Sequence, residues 1–365
     1  MIMQEPTVVL GLETSCDDTA AAIVRRNGDG SADVLSNEIW TNHDDHAAFG
    51  GIVPEIAARS HVERIDHTIA RALKTANLSM SSVDAVAATA GPGLLGGVMV
   101  GLTAGKALAL THDKPLIALN HLEGHALSAR LTEPISFPYL LLLISGGHTQ
   151  LVAVHSVGNY ERLGTTIDDA AGEAFDKTAK LLGLGQPGGP KIEVAARDGN
   201  DERFQFPLPL AKKDGCNFSF SGLKTAVREC ADAINAPTTQ DVSDIAAGFQ
   251  RAVARHLATQ SAKAMAQWSH SNGSFVIAGG VAANQFLRAT LNAECAKRDW
   301  KLYAPPLQYC TDNGAMIAWA GAEIIAERGV PNQTEMLAFA PRARWPLAPP
   351  PIGGAIGYGR KGPKA

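Results

Sequence analysis

The stretch Asn120-His121-Leu122-Glu123-Gly124-His125 sets two imidazoles four residues apart. On a helix, positions i and i+4 lie one above the other on a single face, and such a pair can close on one metal ion. Two ordinary helix histidines would show the same spacing, and spacing alone leaves both readings open. A zincin protease carries Glu directly after the first His. Here that position is Leu122, and Glu123 stands about 200° round the helix from His121, away from a metal on the histidine face. A pair of histidines needs a third ligand. Asp312, in Cys310-Thr311-Asp312-Asn313-Gly314, is the best candidate; it precedes a helical run from Ala315 to Ala326, so a helix N-cap is its alternative role. Two His and one carboxylate with open positions suit Fe(II), and Zn(II) as well. His43, His46, His61 and His67 are scattered through a polar, helix-like region and read as surface histidines.

A second chemistry lies in short turns of small residues, where consecutive backbone N–H groups can receive a phosphate. The chain offers Thr14-Ser15-Cys16, Gly91-Pro92-Gly93, Ser145-Gly146-Gly147-His148, Gly188-Gly189-Pro190 and Gly279-Gly280-Val281. Each alone fits a plain hairpin or a packing role. G-x-x-x-x-G-K-[ST] is missing, so this is not a P-loop enzyme. Between Thr165 and Lys177 the chain carries four carboxylates; on a helix Asp169, Glu173, Asp176 and Lys177 share one side. A solvated face is the usual meaning of such a cluster. The alanine content points instead to tight packing, with Asp176 free to hydrogen-bond a substrate. No general base follows from it.

The elements that must position these groups repeat. Thr7 to Leu12, a small polar turn, and Ala20 to Val24 read as strand, turn and antiparallel strand. So do Tyr139 to Ile144, Ser145 to Thr149, and Leu151 to Val154. Downstream, Val83 to Ala90, a Gly-Pro-Gly break and a small-residue helix are echoed by Phe275 to Ala278, Gly279-Gly280 and a helix from Ala282 to Ala293. The expected fold is therefore a duplicated α/β protein of the actin/Hsp70/sugar-kinase arrangement, with two similar halves and a nucleotide cleft between them. The halves are expected at 1–134 and 135–347, joined near two prolines, Pro134 and Pro138. A surface insertion is expected around 197–217, and a disordered Pro/Gly-rich tail at 348–365. Gln240 to Trp268 has the periodicity of a long helix whose apolar face is core.

Composition bounds the rest. With 45% apolar and 19% charged residues in 365, real cores are affordable. The net charge of −4 argues against general nucleic-acid coating, though not against a local basic path to one RNA. Five scattered cysteines without CxxC spacing fit a reducing, cytoplasmic setting. No signal-peptide pattern opens the chain, and the apolar stretch from Gly91 to Leu110 is broken by glycines and Lys106, so no membrane association is expected.

Ten motifs taken in order resemble one family. They are Glu13-Thr14-Ser15-Cys16-Asp17, Gly51-Ile52-Val53-Pro54-Glu55, Gly91-Pro92-Gly93-Leu94, Asn120 to His125, Ser145 to Thr149, Asp168 to Lys177, Pro187 to Pro190, Phe218 to Lys224, Gly279 to Asn284, and Cys310 to Gly314. Their order and spacing resemble the tRNA N6-adenosine threonylcarbamoyltransferase family, TsaD, over nearly the whole chain up to Leu347. The resemblance implies an actin-like fold and transfer of threonylcarbamoyl from threonylcarbamoyl-AMP to N6 of adenosine 37, in tRNAs reading codons that begin with A. It implies that His121, His125 and Asp312 hold Fe(II) and act through it. It also implies that Leu143, Ile144, Ser145, Gly146, Gly147, Asp176, Gly189, Glu193 and Asn284 contact the donor, with an ATP/AMP-type nucleotide in the cleft. Partners implied are tRNA, a paralogous TsaB-like dimerisation partner, a small TsaE-like P-loop ATPase and a separate threonylcarbamoyl-AMP synthase. Lys213, Lys224, Arg228, Arg342 and Arg344 are candidate RNA contacts, each equally a solvated charge. The chain departs from the family at Asp18, usually Glu, at Lys191-Ile192-Glu193, often Leu-Leu-Ser, and in its tail. Alternative functions on this fold are a small-molecule kinase, a chaperone-like ATPase and, least favoured by Leu122, a metalloprotease.

Overall fold

The computed structural model describes residues 5–41, 51–268 and 273–348. The chain forms two compact units, Met1–Ile135 with Pro305–Leu347, and Ser136–Ala304.

The first unit is built on a five-stranded sheet of order β3-β2-β1-β4-β5. Its strands are β1 (Thr7–Glu13), β2 (Thr19–Arg26), β3 (Ala32–Trp40), β4 (Ala85–Gly91) and β5 (Leu116–Asn120). β1–β2 and β2–β3 are antiparallel; β1–β4 and β4–β5 are parallel. All seven residues of β4 and all five of β5 are buried, as strands covered on both faces require. Period-2 alternation assigns the faces. Leu10 and Leu12 join the core with Ile65, Ile69 and Leu102 from the helices Pro54–Thr75 and Leu95–Thr111. Val9 and Gly11 face the helix Gly314–Arg328, so closely that a Cβ on Gly11 would strike the backbone of Gly314 and Ala318.

The second unit repeats the plan, with order β10-β9-β6-β7-β8. Here β6 is Tyr139–Ile144, β7 Thr149–Ser156, β8 Asn159–Thr165, β9 Ser274–Ala278 and β10 Lys301–Tyr303. Again the first three in sequence form an antiparallel meander and the other two add in parallel. The sequence echo is thus a real structural repeat, β1 matching β6 and β4 matching β9. The long helix runs Thr239–Gln267 and starts with a capping box between Thr238 and Asp241.

One expectation needs correction. The second half does not run 135–347: Pro305–Leu347 belongs to the first unit, where the helix Gly314–Arg328 covers one face of its sheet and Gln333 accepts the Leu116 N–H at 2.7 Å. The 197–217 segment is irregular, exposed or half-buried except at Cys216, and tied to the rest of its unit. Asn200 N donates to Asp244 at 2.7 Å, Arg203 pairs with Asp241 and Asp244, and Phe204 and Phe206 pack on the core. The tail expected at 348–365 lies, beyond Ala348, outside the described residues, as do His43 and His46. Among the described residues no helix is long and apolar enough to cross a membrane.

Candidate metal centre and donor loops

β5 passes straight into the short helix His121–Leu127. Asn120 closes the strand and caps the helix, its Oδ1 accepting the Leu122 N–H at 2.8 Å. This junction, buried except at Glu123, puts His121 and His125 on one face with ring centroids 4.8 Å apart and edge-on at 88°. Leu122 is fully buried, in the place a protease would need its Glu.

Asp312 arrives from the start of the helix Gly314–Arg328. The capping role falls to its neighbour: Asn313 Oδ1 accepts the Met316 N–H at 2.9 Å. That leaves the Asp312 carboxylate to the histidines, with Oδ1 3.0 Å from His125 Nε2 and 3.5 Å from His121 Nε2. Ligand atoms of the three residues all lie within 4.8 Å of one another.

Behind His121 stands Glu13, at the end of β1 and fully buried. Its Oε2 lies 2.9 Å from His121 Nδ1 and accepts the Thr89 hydroxyl at 2.6 Å; its Oε1 accepts the Ser15 N–H at 2.5 Å. Ser15 Oγ stands 3.1 Å from the same Nδ1. A carboxylate on one ring nitrogen orients the other toward a metal and raises its basicity. Burial works against charge on His121, but Glu13 and Asp312 outweigh it and push its pKa up to about 9. Burial likewise acts to raise Glu13, and His121 reverses it, leaving that carboxyl below its ordinary range. Asp18, on the same turn, is pushed up to about 7, chiefly by burial. His125 is fully buried, and among the described residues its Nδ1 has no hydrogen-bond partner. Two imidazoles and one carboxylate, presenting His121 Nε2, His125 Nε2 and Asp312 Oδ1 to one another, fit a cation such as Fe(II) or Zn(II).

Sequence reading offered Ser15 as part of a phosphate-binding turn and gave neither it nor Glu13 a role at the metal centre, although an acidic residue ending an apolar strand is itself a signal of a paired or ligating charge. It also misplaced His61, which is buried rather than at the surface.

In the second unit, Leu143 and Ile144 are fully buried side chains of β6, so only their backbone could meet a donor. The following turn is closed by Ser145 N donating to His148 O at 2.8 Å and His148 N donating to Ser145 Oγ at 3.1 Å. Among the described residues no atom lies within 4 Å of where a Cβ on Gly146, Gly147 or Gly189 would stand, so packing does not demand these glycines. Asp176, one turn after Glu173, reaches the turn at Gly188. Its Oδ1 accepts the Gly188 N–H at 2.7 Å, while Lys177 bridges Asp169 and Glu173 at 2.8 and 3.0 Å. Burial raises the Asp176 pKa. Glu193 accepts the Gln285 N–H at 2.8 Å, and Asn284 caps the helix Gln285–Ala296 while its Nδ2 donates to Gln250 at 2.8 Å. Glu193, Gln250 and Gln285 line one cavity of about 640 Å³ with Arg197 and Phe286. Asp168, whose role sequence left open, clamps the Phe218–Ser221 motif by accepting from Ser219 Oγ at 2.5 Å and Phe220 N at 2.8 Å.

Two five-stranded sheets of one order and one pairing pattern define a duplicated actin-like α/β fold. A solved structure with that likeness is T. kodakarensis HypF, with a TM-score of 0.61 at 14% identity over 92% of this chain and 50% of that one. A family profile described as tRNA N6-adenosine threonylcarbamoyltransferase, TsaD, matches residues 33–319. Curated relatives of that name are 56% identical in Rhizobium etli and 54% identical in Agrobacterium fabrum, each match covering 98% of both chains. The chain belongs to the tRNA N6-adenosine threonylcarbamoyltransferase family, and is accordingly a transferase of tRNA modification.

Proposed function

We propose that this chain transfers the threonylcarbamoyl group from threonylcarbamoyl-AMP to N6 of adenosine 37, in tRNAs reading codons that begin with A. The observation that carries the reading is the cluster of His121, His125 and Asp312, backed by the buried Glu13, in a member of this family.

In the reaction a bond forms between N6 and the carbamoyl carbon. The bond from that carbon to the phosphate oxygen breaks, AMP leaves with the electron pair, and N6 gives up a proton. The adenine amine is a weak nucleophile, because its lone pair is delocalised into the ring. The protein's work is therefore orientation and stabilisation of the departing charge. A bound Fe(II), or Zn(II), would supply a Lewis acid held by His121, His125 and Asp312. Glu13 and Ser15 hold the His121 ring in one orientation. The open turn at Gly146 and Gly147 offers peptide N–H groups to the donor's phosphate, and Glu193 and Asn284 stand beside a cavity wide enough for an AMP-type nucleotide.

Incubation of tRNA with this chain, threonine, bicarbonate, ATP and a threonylcarbamoyl-AMP synthase should yield threonylcarbamoyladenosine by nucleoside mass spectrometry. The His121→Ala/His125→Ala double variant should yield none while keeping its fold. Unchanged transfer by that variant, freed of metal, would sink the reading.

Of the five candidate RNA contacts, Arg342 is the one whose side chain the fold organises. Its exposed guanidinium stacks 4.6 Å from the Phe339 ring and 5.0 Å from Trp345. The same segment reaches the metal helix, since Asn120 Nδ2 donates to Trp345 O at 3.0 Å. Arg342→Ala should reduce the slope of log affinity against log salt for tRNA by about 0.7–0.9, the share of one phosphate. An unchanged slope would place the RNA elsewhere.

For protein partners, the helix Leu95–Thr111 exposes Leu95, Met99 and Leu110 on its outer side, beside an exposed Val62. That apolar surface supports a paralogous TsaB-like partner on the first unit. A small TsaE-like ATPase and the separate synthase complete the proposed system. All five cysteines are free, which supports a reducing, cytoplasmic setting.

A further inference from the structure

His61 lies on the helix Pro54–Thr75 with its side chain fully buried, and it takes no part in the ligand set. Its ring bridges the loop between β1 and β2 and the first residue of β2. Nε2 is 3.1 Å from Cys16 O, and Nδ1 is 2.7 Å from Thr19 Oγ1. A carbonyl only accepts, so Nε2 carries the proton and donates; in the neutral ring Nδ1 then accepts from the Thr19 hydroxyl.

The same loop is gripped from a second side by the helix Leu95–Thr111. Thr14 Oγ1 donates to Gly97 O at 2.8 Å and accepts the Gly101 N–H at 3.1 Å, and Leu94 N donates to Ser15 O at 2.7 Å. The approach is so close that a Cβ on Gly97 would strike Thr14 O and crowd the His61 ring. From this loop Ser15 reaches His121 Nδ1, and the Ser15 N–H holds the Glu13 carboxylate that shares that nitrogen.

We propose that His61 is a positioning residue of the metal centre: by bridging Cys16 O and Thr19 it fixes the loop from which Glu13 and Ser15 orient His121. The rigid imidazole suits the task. It presents one donor and one acceptor in the ring plane, pointing away from each other, with no rotatable bond between them. The inference rests on the proposed metal reading, and the two fail differently.

The test is titration of the purified full-length chain, stripped of metal, with Co(II), followed by its visible absorption. Metal-free thermal unfolding is measured alongside. In His61→Ala the Co(II) Kd should rise about 10–100-fold, the usual cost of losing a group that orients a ligand. His61→Gln, whose amide keeps one donor and one acceptor, should recover part of this. Thr19→Val, which removes one hydroxyl and leaves the ring, should fall between wild type and His61→Ala. In the transfer assay kcat should drop with KM for tRNA unchanged. A merely structural role would lower the melting temperature and leave the Co(II) Kd where it was. An unchanged Kd in a folded His61→Ala overturns the proposal. Should that variant fail to fold, an unchanged Kd in Thr19→Val does the same. Failure of the wild-type chain to bind Co(II) overturns the metal reading itself, and the inference with it.

Discussion

Asp312→Ala is expected to lower metal affinity by more than about 100-fold, beyond the 10–100-fold usual for groups that merely orient a ligand, and to abolish transfer. The fold should survive. The helix that follows is capped by Asn313, not by Asp312, and the Asp312 side chain is 24% exposed. Equilibrium dialysis against Zn(II), with circular dichroism as the fold control, separates the two effects; near-wild-type affinity would remove Asp312 from the ligand set. The pH dependence follows from the same geometry. His121 must lose its proton to bind a metal, and its pKa is pushed up to about 9. Affinity in the wild type should therefore fall as pH drops below about 9, by up to tenfold per unit for one released proton. Stability of the metal-free protein should run the other way. The folded-state pKa is raised above the ordinary 6.5, so the stabilisation from the Glu13–His121 pair is complete below 6.5 and is lost as pH rises through about 9.

The second large effect is on stability. Glu323, on the helix Gly314–Arg328, has a side chain only 3% exposed and sits between two guanidinium groups. Arg26 Nε lies 3.3 Å from its Oε1 and Arg130 Nε 2.7 Å from its Oε2. Arg130 also donates to Ile135 O. Glu323→Ala leaves two mostly buried positive charges facing each other across an empty site, and should cost about 3–5 kcal/mol. Urea unfolding followed by fluorescence would show it, since Trp319 is fully buried on the same helix. Glu323→Gln keeps the acceptor oxygen and should cost less. Equal midpoints for wild type and Glu323→Ala would mean that solvation by water, not pairing with Glu323, stabilises the two arginines.

Much of this was legible in the sequence because the signals were local. The two hairpins announce themselves as β-rich runs around small polar turns, and β4 and β9 end at glycines where the chain must break. The histidine spacing predicted a shared face, and the structure has it. What stayed hidden depended on distant partners. The helix Gly314–Arg328 is buried over its first ten residues on every side, so no stripe told which sheet it would cover. Asp312 and Asn313 are both good caps, and only packing decides between them. His61 was misread from its charged neighbours Arg59, Glu63 and Arg64. Its spacing from Ala57, Ile65, Thr68 and Ile69, all buried, would have set it on the inner stripe of that helix. The polar atoms of Asp176, Glu193 and Asn284 engage backbone and side-chain groups far along the chain, contacts that no motif records.

The chain's return to its first unit has a consequence for how the protein is made. His121 and His125 leave the ribosome well before Asp312, which follows His125 by 187 residues. At 5–20 residues per second that is a delay of roughly 10–40 s. Over that interval the second unit is being synthesised, while the first sheet still lacks the helix that will cover Val9 and Gly11. A nascent or prematurely terminated chain thus holds a histidine pair without its carboxylate and a sheet with one face bare. Metal loading at the proposed centre would in this way report on synthesis: only a polypeptide translated past Asp312 carries all three ligands, and a product that stops short of the helix Gly314–Arg328 leaves that sheet face bare.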